Sequence, residues 1–164
     1  MTGGAEKKVS KAKIDPLDPA KWFDRLGRLD RDASGGLPPD RVIRIAYDLV
    51  RLAPLPMRAV LSSPLDEDDL EAILACNAYE TAALYLIGPK FAFQVQKTTG
   101  EIVFHASVQL DPSFDAGHGA SPDCACAMLI AWVRCLANLQ RKHGFSRLDR
   151  SKSQSGPPRQ STEH

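Results

Sequence analysis

Apolar residues recur at helical spacing through the first half of the chain. The spacing predicts one helix over about 19–28 and a second over about 39–52, which together form a helical hairpin. A third helix is predicted over about 64–78, where the acidic run 66–69 would interact favourably with the helix dipole. Three predicted helix starts place a capping side chain before a proline, at Asp18-Pro19, Ser63-Pro64 and Ser121-Pro122.

From Thr81 onward apolar residues alternate with other residues, which is the period of a half-buried β-strand. The alternation predicts a three-stranded antiparallel meander with one apolar face, formed by Ala82, Leu84, Leu86, Phe91, Phe93, Val95, Ile102, Phe104, Ala106 and Val108. Turns at Gly88-Pro89 and Thr99-Gly100 set the predicted register. In that register Leu86 lies opposite Phe91, Val95 opposite Phe104 and Phe93 opposite Ala106.

The opposite face of the predicted meander is mixed in polarity. We treat it as a candidate interaction face, formed by Tyr85, Ile87, Gln94, Gln96, Val103 and His105. Either the N-terminal helical hairpin covers part of this face, or the face is a surface kept for a partner.

A last helix is predicted over about 122–142, and Gly144 is suited to end it. The helix has one charged residue between Asp123 and Arg141, so it should be buried on more than one side. We expect it to lie between the sheet and either the N-terminal helices or a second subunit. The predicted fold class is therefore α+β, an N-terminal helical hairpin followed by an α-β-β-β-α layer with a three-stranded antiparallel meander.

Charge is distributed unevenly along the 164 residues, although the formal net charge is only +1. Residues 1–15 and 146–164 are net basic and poor in apolar side chains, so they cannot offset the entropy of ordering and are predicted to be disordered. The acidic chain between them, 16–145, is predicted to be a single domain. It divides into the hairpin and a connector, 16–62, and the α-β-β-β-α unit, 63–145.

Several functional classes lack the sequence signals that they require. There is no signal peptide, no lipidation motif and no apolar run of the roughly 20 residues that a membrane span needs, so we expect a cytosolic protein without a membrane partner. The four cysteines do not have zinc-finger spacing, and nucleotide-binding loops are absent. We therefore expect no cofactor, and nucleic acid would bind only through the basic tails.

One short stretch, LDRDASGGL at 29–37, follows the spacing of a calcium-binding EF-hand loop that would extend over 30–41. In that loop Asp30, Asp32 and Ser34 would offer side-chain oxygens and Gly36 a carbonyl oxygen. The twelfth position, which needs a bidentate glutamate, is Arg41. A degenerate calcium site is one alternative, and a polar turn between two helices is the simpler interpretation.

The segment G-H-G-A-S at 117–121 resembles the Gly-x-Gly-x-Ser sequence before the last helix of double-stranded RNA-binding domains, and 64–143 has their α-β-β-β-α order. The resemblance implies RNA binding through phosphate contacts. In that family lysines follow the serine, whereas here Pro122 and Asp123 occupy those places.

The polar loop predicted at 111–123 is the one candidate active site. It gathers groups that would supply a nucleophile, a base and an orienting acid, namely Asp111, Ser113, Asp115, His118, Ser121 and Asp123. No rigid framing motif such as a nucleophile elbow accompanies them. The favoured function is therefore a small non-catalytic protein-interaction module, with another protein or a second copy of the chain as its partner, in the latter case a homodimer.

Overall fold

The computed structural model describes residues 14–61 and 65–144. Across these ranges the order of elements is α1 (Pro19–Ser34), α2 (Pro39–Arg51), α3 (Leu55–Arg58), α4 (Glu67–Ala75), α5 (Tyr79–Ile87), β1 (Ala92–Gln96), β2 (Phe104–Gln109), β3 (Gly117–Ser121) and α6 (Cys124–His143). The predicted α+β class is confirmed. The prediction for the C-terminal tail, most of that for the N-terminal tail and the helix start at Ser63-Pro64 lie outside the described residues.

The two N-terminal helices form the predicted hairpin. The carboxylate of Asp18 accepts a hydrogen bond from the N–H of Ala20 at 3.0 Å, which caps α1. The indole N–H of Trp22, which is fully buried, donates to the carbonyl of Leu49 at 2.7 Å and ties α1 to α2. Helix α1 continues past its predicted end, because Ala33 extends the buried stripe of the helix.

The largest correction concerns the predicted first strand, which begins at Thr81 and whose residues instead belong to the helix α5, 79–87. Their buried side chains have helical spacing, whereas Leu84 of the predicted strand face is 39% exposed. The alternation misled because Ala82 and Leu86 are four residues apart and so share a face in a helix as well as in a strand. The predicted pairing of Leu86 with Phe91 is therefore wrong.

The connector and the predicted third helix also differ in detail. The connector contains the short helix α3, and α4 is shorter than the predicted 64–78. The side chain of Asp66 accepts from the N–H of Asp68 at 3.3 Å and caps the start of α4. After its end Asn77 has a φ of 54°, which turns the chain directly into α5.

The sheet is antiparallel with the strand order β1-β2-β3. Phe93 lies opposite Val108 and Val95 opposite Ala106, each two residues from its predicted partner. A shift of two leaves every side chain on its predicted face, because strand side chains alternate with a period of two. The third strand, β3, lies inside the segment that was predicted to be a loop, 111–123.

Close packing on α6 explains why β3 contains glycine. A Cβ atom on Gly119 would lie 2.3 Å from the carbonyl oxygen of Ala127, and one on Gly117 would lie 1.9 Å from that of Ala131. Both contacts are with backbone that cannot move aside, so these positions exclude larger residues. The composition of β3 is therefore determined by its packing on α6, and the strand lacks the β-branched residues from which a strand is usually predicted.

Helix α6 is the central element of the core. It packs against β2 and β3 of the sheet and against α1, α2 and α5. Every residue from Ala125 to Val133 is buried. The chain's own N-terminal helices thus complete the covering of α6, as one of the two predicted arrangements requires, and a second subunit is not needed for it.

Over the described ranges none of the helices combines the length and the apolar character needed to cross a membrane.

Candidate interaction surface on the sheet

The face of the sheet turned away from α6 is polar. We call it the outer sheet face, and its members are Ala92, Gln94, Gln96, His105, Ser107, Gln109, His118 and Ala120. Cross-strand pairing aligns Gln94, Ser107 and His118 in one row across the three strands. A neighbouring row joins Gln96, His105 and Ala120. The face thus presents amide, hydroxyl and imidazole groups in register.

Only part of the predicted interaction face is assembled in this way. Gln94, Gln96 and His105 lie together on the outer sheet face. Tyr85 and Ile87 belong to α5, where Tyr85 is 54% exposed and Ile87 is buried, so neither joins the sheet. Val103 precedes β2 and is half-buried. The prediction that these three residues belong to the face is therefore wrong. Tyr85 and Ile87 lie in a helix, and Val103 lies in the turn before β2.

Two contacts fix the margins of the outer sheet face. The imidazole Nε2 of His105 lies 3.4 Å from a carboxylate oxygen of Glu101, and both side chains are about half exposed. At the other end, the side-chain amide of Gln109 donates to the carbonyl of Phe114 at 2.7 Å and holds the turn before β3.

The inner face of the sheet is covered unevenly. Helix α6 packs mainly against β2 and β3, and β1 extends beyond it. As a result Phe93 of β1 is 49% exposed, although its cross-strand neighbour Val108 is fully buried. Ile102 in the following turn is 78% exposed. Apolar side chains therefore reach the solvent next to β1.

The edge of the sheet formed by β3 is capped by two side chains of α6. The guanidinium of Arg134 donates to the carbonyl of His118 at 2.9 Å, and the amide of Asn138 donates to the carbonyl of Ala116 at 3.1 Å. Arg134 is itself held by the carboxylate of Asp30 at 3.1 and 3.2 Å. We call this side of β3 the capped edge, because the carbonyls of Ala116 and His118 already have partners there.

The edge formed by β1 is different. Within the described ranges β1 pairs with β2 alone, and it stands last in the strand order. We call its outer side the open edge. An edge strand of this kind offers unpaired backbone groups to another strand.

The structure does not bring all the polar groups of 111–123 together. His118 points to the outer sheet face, whereas Ser121 of the same strand is buried on the opposite face. The hydroxyl and N–H of Ser113 both donate to Asp111, which lowers the pKa of that carboxyl, and Asp123 caps α6 by accepting from the N–H of Cys126. These groups serve the local turns and the helix start.

Two cysteine thiols of α6 are also poor nucleophiles. Burial, together with the nearby charge of Asp123, raises the pKa of Cys126 to about 12. Burial likewise raises the pKa of Cys135. Both groups remain protonated near neutral pH, and a protonated thiol is not the reactive form.

The residues of the predicted calcium loop do not form a loop. Asp30, Asp32 and Ser34 lie in the last turns of α1, and Gly36 follows the helix with a φ of 94°. The carboxylate of Asp30 binds Arg134 and also accepts from the hydroxyl of Ser34 at 3.2 Å. The degenerate calcium site over 30–41 was the alternative to a polar turn, and the helix that occupies 30–34 differs from the loop that such a site requires.

The positions implied by the resemblance to double-stranded RNA-binding domains can be located. The segment G-H-G-A-S forms β3 and leads into α6, in the order that the resemblance implies. At the start of α6, Glu80 of α5 and Asp123 both act on the thiol of Cys124 and help raise its pKa, after the larger effect of burial. Negative charge therefore gathers where the family places phosphate-binding lysines.

Comparison with models of known protein families, with curated proteins and with solved structures finds no match for this chain.

Proposed function

We propose that the protein is a non-catalytic interaction module and that the sheet is its contact surface. The observation that carries the proposal is the contrast between the two sides of the sheet. The inner side is packed on α6 over β2 and β3, while the outer sheet face and the open edge remain uncovered by the described residues.

The chemistry of the outer sheet face fits recognition of another polypeptide. The side-chain amides of Gln94 and Gln96 each offer two hydrogen-bond donors and a carbonyl acceptor. His105 and His118 add imidazole groups on the neighbouring strands. Protein interfaces combine such polar groups with a few apolar side chains. Here Phe93 and Ile102 supply exposed apolar surface beside the same sheet.

The local roles of the polar groups support a module without catalysis. Asp111 and Asp123 are engaged in a turn and a helix cap, and the thiol of Cys126 stays protonated. Nucleophilic catalysis needs a nucleophile and a base within hydrogen-bond reach. His118 and Ser121, two of the groups in the candidate loop, lie on opposite faces of the sheet.

Site-specific photo-cross-linking tests this proposal in cells that express the chain. A photoreactive phenylalanine analogue would replace His105 or His118 on the outer sheet face, or, as a control, the exposed Asp69 on α4. We expect adducts of defined mass from the two sheet positions and none from Asp69. Equal adducts from all three positions, or none from the sheet, would contradict the proposal.

A further inference from the structure

The hydrogen bonds at the capped edge determine which backbone N–H and C=O groups of β1 point away from β2. In an antiparallel ladder the N–H and C=O of one residue point the same way, and successive residues alternate. The carbonyl of His118 binds Arg134, so the backbone N–H and C=O of His118 point away from β2. The backbone groups of its cross-strand partner Ser107 then point toward β1 and form hydrogen bonds with the backbone of Gln94. It follows that Phe93 and Val95 direct their backbone groups to the open edge.

We propose that the open edge of β1 pairs with β1 of a second copy of the chain, antiparallel and centred on Gln94. This partner assignment rests on the proposed function, that the sheet is the contact surface. The two three-stranded sheets would join into one continuous sheet of six strands. Phe93 of each copy would then lie opposite Val95 of the other and exchange both backbone hydrogen bonds with it.

The sequence of β1, A-F-Q-V-Q, complements itself in this register. On the inner side of the joined sheet, Phe93 meets Val95 of the second copy, so apolar side chains pair with each other. On the outer side, Gln94 meets Gln94 of the second copy at the two-fold axis, where the amides can exchange hydrogen bonds. No charged side chain lies within β1, so self-pairing brings no like charges opposite each other inside the strand.

Other registers fit less well. A shift by one residue would place Phe93 opposite Gln94 and mix the two faces. Centring the pair on Phe93 would draw Phe91 into the new ladder, although Phe91 lies before β1 and its side chain is buried. Centring on Val95 would set Phe93 opposite Lys97, beyond the strand. Only the register centred on Gln94 uses all outward groups of β1 and no others.

Cysteine cross-linking tests both the pairing and its register. The variant Gln94→Cys would be oxidised with glutathione disulfide in a Cys76→Ser background, because Cys76 is an exposed free thiol. At a non-hydrogen-bonded pair the two Cα atoms are about 4.5 Å apart, within the range that a disulfide spans. We therefore expect a covalent dimer on a non-reducing gel.

The matched control is Gln96→Cys in the same background. Gln96 is exposed on the same face of the same strand. In the proposed register it lies opposite Ala92 of the second copy, about 13 Å along the strand from the second Gln96, and should cross-link at least about tenfold more slowly. Equal rates for the two variants, or no dimer from Gln94→Cys, would overturn the proposal.

Sedimentation velocity of the full chain supplies an independent readout. A single pair of short strands forms a small interface, so dimers should appear between about 10 μM and 1 mM. Val95→Pro should remain monomeric yet folded, because the N–H that it removes points to the open edge and not to β2. A wild-type chain that stays monomeric throughout would refute the second copy as occupant. Sheet-specific adducts with another protein would then still support the proposed function.

Discussion

The two edges of the sheet differ in what meets their backbone groups. At β3, Arg134 of α6 binds the carbonyl of His118, and Asn138 binds a carbonyl just before the strand. Asp30 of α1 holds the arginine in place. At β1, which extends beyond α6, the described residues provide no such side chains. An edge that binds its own helix resists pairing with other strands, and one that does not remains available to them.

The difference follows from the position of α6. The helix packs on β2 and β3 so closely that two glycines of β3 are required, and the same approach brings its polar side chains within reach of the β3 carbonyls. Helix α6 contacts β1 much less than it contacts β2 and β3, and the described residues show neither kind of contact there. The arrangement that makes one edge stable therefore leaves the other edge exposed.

The largest effect is expected from filling the close contact beside the capped edge. Gly119→Ala would place a Cβ atom 2.3 Å from the carbonyl oxygen of Ala127, so unfolding should become easier by about 3 kcal/mol. The control is Gly27→Ala, in α1, where a Cβ atom meets nothing within 4 Å. That change should stabilise the protein by about 0.5–1 kcal/mol. Chemical denaturation measures both, and equal effects would contradict the packing described for β3.

Removing the side chains that cap β3 should have the next largest effect. The double variant Arg134→Ala, Asn138→Ala should lose about 2 kcal/mol of stability, since each side chain makes a hydrogen bond to the backbone and Arg134 is partly exposed. It should also self-associate more strongly through the newly uncapped edge. Arg28→Ala, which breaks an exposed ion pair with Asp24, is the control and should change stability by less than about 0.5 kcal/mol. If the double variant and this control had the same free energy of unfolding, the two side chains would not stabilise the capped edge, and the difference between the edges would be contradicted.

Alkaline pH tests the burial of α6 through the thiol of Cys126. Its pKa is about 12 in the folded chain and about 8.5 when unfolded, so folding keeps the thiol protonated. Stability should therefore be intact below about pH 8.5 and fall by about 1 kcal/mol per pH unit as the pH rises above it. Thermal melts of Cys126→Ala, run in parallel, should show a weaker dependence over this range. Identical pH profiles would indicate that the thiol is not buried as described.

The smallest effect on stability is expected at the open edge. Phe93→Gln should change the free energy of unfolding by less than about 1 kcal/mol, because this side chain is half exposed already. Val108→Gln, at the cross-strand neighbour on the same face, should cost about 2 kcal/mol, because it places an amide in the core. Similar losses for the two variants would mean that β1 is as well covered as β2.

The faces of the sheet could be predicted from the sequence, whereas its strands could not all be found. The alternation through Phe93 and Val95 assigned the right side chains to the right face even though the register was two residues off, because faces repeat every two residues. The alternation predicts a strand from Thr81 onward because Ala82 and Leu86 fit both periods. The exposed Leu84 shows which period applies, and exposure is not visible in the sequence.

The candidate site was predictable only in part for a related reason. Gln94, Gln96 and His105 were identified by alternation alone. His118 was assigned to a loop, because the glycines around it serve contacts with α6 that lie far away in sequence. The capped edge depends on Arg134 reaching a strand carbonyl, and on Asp30 from α1. Such long-range contacts leave no local pattern.

Amide hydrogen exchange, followed residue by residue by NMR at about 20 μM and about 1 mM, tests the difference between the edges most directly. If β1 pairs with a second copy, the amides of Phe93 and Val95 should exchange rapidly at the low concentration and become protected at the high one. The amides of His118 and Ala120, on the capped edge, should exchange at the same rates at both. Exchange at Phe93 and Val95 that does not depend on concentration, or a dependence that appears at β3 instead, would contradict the account.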